Sequence, residues 1–377
     1  VLKNPKLHMS VTDGRTFILG SPKKYDLIIS QPSNPWIAGI GNLYTEDFYK
    51  ACVEQLEPNG LMCQWFQLYS VSEYDLRLVL NTFYSVFPEG LVFQTGPGDV
   101  LLVGAHHPVN FEDARLQQLW TEEKLTFWSQ MIGLFEPEYL LGAYVANRAQ
   151  VMESSFCQSE EKVFNTDDKP LLEFQAPRSL YLKSSEVAGF PNSFQDLVPA
   201  GYADNPEAVG RALLGRFQLK RYIGLEERVA KALEAQNPWA PLAGALLAQR
   251  QGEVTMAEGL LRALPSQEAI KPTAQILMGD MRSRAEQWDA AMVHYQNALE
   301  DPPSGARYMT LMKMGRAASM AGNLDEALMA YEQASEISDR PDPFFQLGHV
   351  SYMQDQDAEK SLLYFEEAIK RDPNDYA

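Results

Sequence analysis

Three hundred and seventy-seven residues exceed what one ordinary core holds, and at about 150 residues per domain they suggest two or three. A composition of 45% apolar, 11% aromatic and 22% charged residues excludes a disordered tail or a collagen-like fibre. A formal charge of -18 excludes a nucleic-acid surface, because neutralising phosphates needs a surplus of Lys and Arg.

In chain order, Leu7 to Thr12 reads as a short strand ending at Asp13-Gly14. Tyr25 to Ser30 is a second run, nearly all apolar, which predicts a strand covered on both faces. Gln31-Pro32-Ser33-Asn34-Pro35 breaks it: the two prolines remove two backbone donors, so a loop leaves the strand's carboxyl end. Thr45 to Leu56 has helical spacing through Phe48, Ala51, Cys52 and Leu56, with Thr45 as N-cap and Pro58-Asn59-Gly60 as the stop. Leu61 to Phe66 reads as a third buried strand. Ser72-Glu73-Tyr74-Asp75 resembles a capping box, opening a helix with Leu76, Val79, Leu80 and Phe83 on its apolar face. Leu91 to Thr95 and Val100 to Ala105, joined by Gly96-Pro97-Gly98-Asp99, predict a terminal hairpin. This succession is the second half of a doubly wound α/β domain spanning residues 1–110.

Residues 111–200 are looser, with helical stretches over Arg115 to Trp128 and Glu138 to Ala146, then the polar loop Asn165 to Pro170 and a strand-like Leu171 to Phe174. The Pro- and Gly-bearing stretch from Gly189 to Pro206 reads as a linker. Residues 201–377 are helical and repeat. Gly279, Ala291, Tyr295 and Ala298 recur 36 residues later as Gly315, Ala327, Tyr331 and Ala334. A third copy holds Gly348, Ser361, Phe365 and Ala368 and ends at Pro373, and a weaker fourth holds Ala245, Ala257 and Leu261. Small residues let two helices approach closely, and the pattern resembles the tetratricopeptide repeat, a helical solenoid that binds protein partners.

Cys52, Cys63 and Cys157 have no metal-ligand spacing, the five histidines are scattered, and no metal site is expected. No apolar stretch is long enough to span a bilayer. Asp13 with Gly14 sits at a strand's end, where a carboxylate can accept from the amino group of a base and glycine lets backbone come close. Gln31, Asn34 and Trp36 lie in the rigid Pro-x-x-Pro loop over a strand tip. Gln64 is a carboxamide within an apolar run and must find partners, and Tyr44 with Trp36 can wall a pocket.

Four blocks, Val11 to Phe17, Tyr25 to Pro35, Asn42 to Tyr49 and Pro58 to Trp65, resemble the polyamine aminopropyltransferases, the spermidine and spermine synthases. The likeness covers roughly residues 1–180 and is nearest the long bacterial members in which membrane-spanning segments precede the synthase-like domain. It implies a Rossmann-like, methyltransferase-type fold that moves the aminopropyl group of decarboxylated S-adenosylmethionine onto a diamine. It implies that Asp13-Gly14 contacts the adenine, and that Gln31 and Asn34 occupy the positions of two acids, one assisting deprotonation of the amine and one binding the diamine. Both acids are replaced by amides, which can neither take a proton nor offset a cation's charge. The resemblance also implies two earlier strands bearing a glycine-rich loop and an acidic ribose-binding residue, and no Gly-x-Gly motif precedes Asp13 here. The expectation is therefore a partial sheet completed by upstream polypeptide, with a tether to the cytoplasmic face of the inner membrane. Three readings follow: a synthase-like domain binding an S-adenosylmethionine-type nucleoside and a polyamine, coupled to tetratricopeptide repeats; a catalytically silent scaffold whose repeats bind a protein; or a methyltransferase using S-adenosylmethionine.

Overall fold

Short polar side chains start the first three helices. The Asp13 carboxylate accepts the Thr16 amide at 2.7 Å and opens α1 (Gly14–Gly20). The Thr45 hydroxyl accepts the Phe48 amide at 3.2 Å and opens α2 (Glu46–Gln55). Ser72 and Asp75 form a reciprocal capping box at α3 (Glu73–Val86). The structure is a computed structural model and describes residues 6–109, 113–121, 125, 129, 131–134, 136–159, 162–181, 187, 189–194, 196, 198–221, 223–264, 271–302, 306–356 and 358–371. The chain divides into two units, one of Val1–Phe111, Ala143–Asp204 and Leu219–Ile223, the other of Glu112–Gly142, Asn205–Gln218 and Gly224–Ala377.

The first unit is built on a mixed sheet with five strands among the described residues: β1 (Tyr25–Ser30), β2 (Leu56–Gln67), β3 (Glu89–Gly96), β4 (Asp99–Ala105) and β5 (Tyr144–Asn147), in the order β1-β2-β4-β3-β5. β1 and β2 run parallel, joined through α2, while the remaining pairs are antiparallel. Side chains alternate across the sheet. Ile28, Met62 and Phe66 pack with Phe48, Tyr49, Leu76, Val79 and Phe83 of α2 and α3 in the main core. Cys63, Leu91, Val103 and Tyr144 form a smaller cluster.

Four expectations are corrected, and a fifth, over Arg115 to Trp128, is met in its described part. Leu7 to Thr12 is irregular and exposed, with Val11 97% accessible, because no neighbouring strand among the described residues supplies a ladder for it. Among the described residues β1 is an edge strand, and while Ile28 is buried, Leu27 and Ile29 are 48% and 63% exposed, so these residues cover it on one face. Of the helix expected over Arg115 to Trp128, α4 (Asp113–Trp120) forms, and residues 122–124 and 126–128 lie outside the described set. The helix expected over Glu138 to Ala146 is a 3-10 segment (Pro137–Ala143) running into β5, because β3 offers its free edge to Tyr144 and Ala146. A short α5 (Arg148–Glu153) follows. The strand expected over Leu171 to Phe174 is the start of α6 (Leu171–Ser179), where helical spacing buries Leu172 and Ala176 together.

The second unit is helical from residue 206: α7 (Pro206–Gln218), α8 (Leu225–Glu234), α9 (Ala240–Gln251), α10 (Val254–Arg262), α11 (Lys271–Arg284), α12 (Trp288–Glu300), α13 (Ala306–Ala321), α14 (Leu324–Ile337), α15 (Pro341–Asp355) and α16 (Ala358–Arg371). From α9 onward the helices pack as successive pairs. The recurring glycines sit where an aromatic ring lies against the backbone. A Cβ at Gly279, Gly315 or Gly348 would come within 2.5, 2.7 and 2.8 Å of the rings of Tyr295, Tyr331 and Phe365. Ala291, Ala298, Ala327, Ala334 and Ala368 are buried between the helices, as are Ala245 and Ala257 in α9 and α10. Ser361 replaces alanine in the last pair, and its hydroxyl donates to the Gly348 carbonyl at 2.9 Å. Pro373 lies outside the described residues.

Candidate functional site

The loops leaving the carboxyl ends of β1 and β2 meet, which is where an open α/β sheet offers a crevice. Asn34 donates through Nδ2 to the Tyr69 hydroxyl at 2.9 Å, and the Trp36 ring packs edge-on against Tyr69 at 6.1 Å. Beneath them, the Tyr44 hydroxyl and Gln64 Nε2 both donate to the Trp65 carbonyl, at 3.2 and 3.0 Å. Tyr44 and Gln64 are fully buried. Burial, with a smaller push from nearby Tyr69, drives the Tyr44 phenol upward, so it stays protonated and donates. Gln31 follows β1 directly and is exposed. Two carboxamides of β2 carry unmet capacity: Gln64 Oε1 and both amide atoms of Gln67 are buried without a hydrogen-bond partner.

Residues far along the chain hold this loop in shape. The Glu173 carboxylate accepts the Gly39 and Gly41 amides at 2.7 and 3.2 Å. Gly39 has a φ of 83°, and a Cβ at Gly41 would lie 2.7 Å from Glu173 Oε2, so both positions require glycine. Asn165, fully buried, donates through Nδ2 to the Gly41 and Tyr44 carbonyls at 3.2 and 3.1 Å and accepts the Leu172 amide at 3.1 Å. Arg15 of α1 donates to the Asn42 carbonyl at 3.0 Å and forms a two-pronged ion pair with Asp167. That guanidinium holds the Asp167 carboxyl below its ordinary value.

The structure thus places Asn34 and Trp36 against Tyr69 and brings Tyr44 and Gln64 onto the Trp65 carbonyl, with Tyr44 near Tyr69. Asp13 and Gly14 stand apart: among the described contacts none joins them to this cluster. Asp13 is exposed, and its carboxyl lies below the ordinary value because the Thr16 amide bonds the ionised form. Tyr69, Asn165, Glu173 and the Arg15–Asp167 pair were not foreseen. A dense polar run before Pro170 marked a loop but carried no sign of its partners. Burial pushes the Cys52 thiol up to about 12 and those of Cys63 and Cys157 up to about 11, which leaves all three as inert packing. Among the described residues no group of His, Cys, Asp and Glu could hold a metal, and no helix is long and apolar enough to cross a membrane.

Amides, a phenol and an indole at the tips of parallel strands offer neutral hydrogen-bonding groups and an aromatic face. They do not supply a proton acceptor for an ammonium. The class is an α/β domain with loops meeting at the strand tips, together with a helical array. Comparison with known proteins narrows this: residues 1–95 match the spermine/spermidine synthase domain family. The polyamine aminopropyltransferase of Agathobacter rectalis is 27% identical over 163 residues, which are 41% of this chain and 56% of that protein. That of Methanocaldococcus jannaschii is 23% identical over 158 residues, 38% of this chain and 53% of that protein. That of Nitrosomonas europaea is 35% identical over 60 residues, 16% of this chain and 18% of that protein. The chain spans about half the length of the first two. Its N-terminal part is similar to a spermidine synthase domain, and the match to that domain stops at residue 95.

Proposed function

We propose that the α/β unit binds an adenosyl ligand of the decarboxylated S-adenosylmethionine kind and transfers its aminopropyl group to a protonated polyamine only slowly, and that the helices after residue 206 are a tetratricopeptide-like array that engages a protein partner. The observation that carries this reading is the uncharged character of the cluster formed by Asn34, Trp36, Tyr44, Gln64 and Tyr69. In the transfer, an amine lone pair attacks the propyl carbon beside the sulfonium. The carbon–sulfur bond breaks toward sulfur, releasing methylthioadenosine, and the amine must shed a proton. Gln31 and Asn34 stand where the resemblance places the acids for that task, and neither is basic enough to accept it. Losing a positioned base lowers rates by about 10² to 10⁴.

Calorimetry of the chain with methylthioadenosine tests the adenosyl half, and product analysis with decarboxylated S-adenosylmethionine and putrescine tests the transfer. The nucleoside is expected to bind, wild-type turnover to be slow, and the paired substitution Gln31→Asp with Asn34→Asp to raise turnover by about 10² or more. Wild-type turnover that the paired substitution leaves unchanged would refute the argument from the missing base. A second reading, a silent scaffold that binds no nucleoside, is favoured by one feature: Asp13, the residue matched to adenine recognition, uses its carboxylate to cap α1. Absence of methylthioadenosine binding would select it.

A further inference from the structure

Tyr69 is held from several directions although nearly half of it is exposed. Its hydroxyl accepts from Asn34 Nδ2 at 2.9 Å, and its ring meets Trp36 edge-on at 6.1 Å. The turn between β3 and β4 also abuts it: the Leu68 amide donates to the Gly98 carbonyl at 2.7 Å, and a Cβ on Gly98 would come 3.2 Å from the Tyr69 ring. Ser70, next in the chain, takes a φ of 50°, a left-handed conformation uncommon outside glycine. Strain kept beside a residue marks a placement that the surroundings enforce.

The direction of the Asn34 bond decides what Tyr69 offers. A carboxamide nitrogen only donates, so the phenol oxygen is the acceptor and its own proton is left to point elsewhere. No acceptor among the described residues takes that proton. With a carboxylate at position 34 the bond would reverse, because an ionised acid only accepts: the phenol would give its proton to the acid and turn a lone pair outward. We propose that the Asn34–Tyr69 pair is a specificity element that presents the Tyr69 O–H to the acceptor-side ligand. It selects a ligand with a hydrogen-bond-accepting oxygen at that place, such as a carbonyl, over an ammonium. This rests on the reading that the α/β unit takes its ligands at these strand tips, and it adds the class that the pair selects. The amide at position 34 is then a change of ligand class as well as the loss of a charge.

Two small probes of opposite polarity test it by saturation-transfer NMR titration of the full chain. Putrescine is a dication that only donates at neutral pH, and tetramethylsuccinamide is a neutral diamide that only accepts. Tyr69→Phe, which keeps the ring against Trp36, is expected to weaken the diamide about threefold or more through the loss of one hydrogen bond, and to leave putrescine unchanged. In an Asn34→Asp background the same substitution should weaken putrescine about threefold or more and leave the diamide unchanged. A merely structural role for Tyr69 would move both probes alike in both backgrounds. Equal effects on the two probes, no effect on either, or no saturable binding of the diamide to the wild type would overturn the proposal. Methylthioadenosine titrated into the same variants reads the nucleoside separately: its failure to bind, with the exchange of probe preference intact, would reject the adenosyl ligand and support the pair.

Discussion

Replacing Asn165 by alanine removes one side chain and unpairs backbone groups in three places. Its Nδ2 donates to the Gly41 and Tyr44 carbonyls, and its Oδ1 accepts the Leu172 amide. The last bond serves as a cap from a distance, because Leu172 lies in the first turn of α6 and Pro170 before it offers no side-chain acceptor. An orphaned buried amide costs about 1–3 kcal/mol, and each lost bond to a carbonyl about 1 kcal/mol, so Asn165→Ala is expected to destabilise the α/β unit by about 3–5 kcal/mol. Against the roughly 5–15 kcal/mol that hold a typical domain, this is a large fraction. Because the chain has two units, one denaturation midpoint would mix them. Amide hydrogen exchange resolved by peptide is the suitable assay. Protection over the segments containing Leu172 and Gly41 to Tyr44 should fall by about 10² or more, while the helical pairs from α11 onward stay unchanged. A loss under about 1 kcal/mol, or one spread evenly over both units, would show that the side chain is not the tie described.

Two further outcomes follow from the geometry. Gly315→Ala places a methyl 2.7 Å from the Tyr331 ring, which is itself buried, and should lower the stability of the helical unit by about 1–3 kcal/mol in urea denaturation; a neutral result would mean the two helices part without cost. The Asp167 carboxyl is held below its ordinary value of 3.8, so the pair with Arg15 stabilises the fold above that pH and fades as pH falls through the depressed value. With the carboxylate side chain 44% exposed, the contribution is roughly 0.2–1 kcal/mol. The stability gap between wild type and Asp167→Asn should therefore persist from about pH 7 to about pH 5 and close below the ordinary value, and a gap that widens in acid would contradict it.

What was legible in the sequence was local. Thr45, Ser72 and Asp75 announce helix starts by spacings of three residues, and the turn from Gly96 to Asp99 announces its hairpin, because each signal and its partner lie within one turn. The aromatic-over-glycine repeat was visible because the helix pair reproduces itself at a nearly constant interval. What failed was short or remote. Tyr144–Asn147 is too brief for its period to distinguish strand from helix, and only the open edge of β3 decides it. Leu171 to Phe174 is apolar enough to read as a strand, and the helix there is fixed by an acceptor on Asn165. At the site, the β1 loop was placed correctly at a strand tip. Tyr69 and Glu173, which give that loop its form, act across 35 and 134 residues of chain, a distance over which no periodicity speaks.

The clamp made by Glu173, Asn165 and Asp167 also bears on how this protein can be dissected. The family-domain match ends at residue 95, yet the sheet closes with a strand at 144–147, and the loop after β1 takes its form from side chains at 165–173. A piece excised at the homology border would keep the recognisable motif and lose the struts that shape it. Ligand-binding measurements on such a piece would lack those struts, and the smallest portion worth expressing for them runs at least through Asp204, since Phe190 and Phe194 belong to the same core.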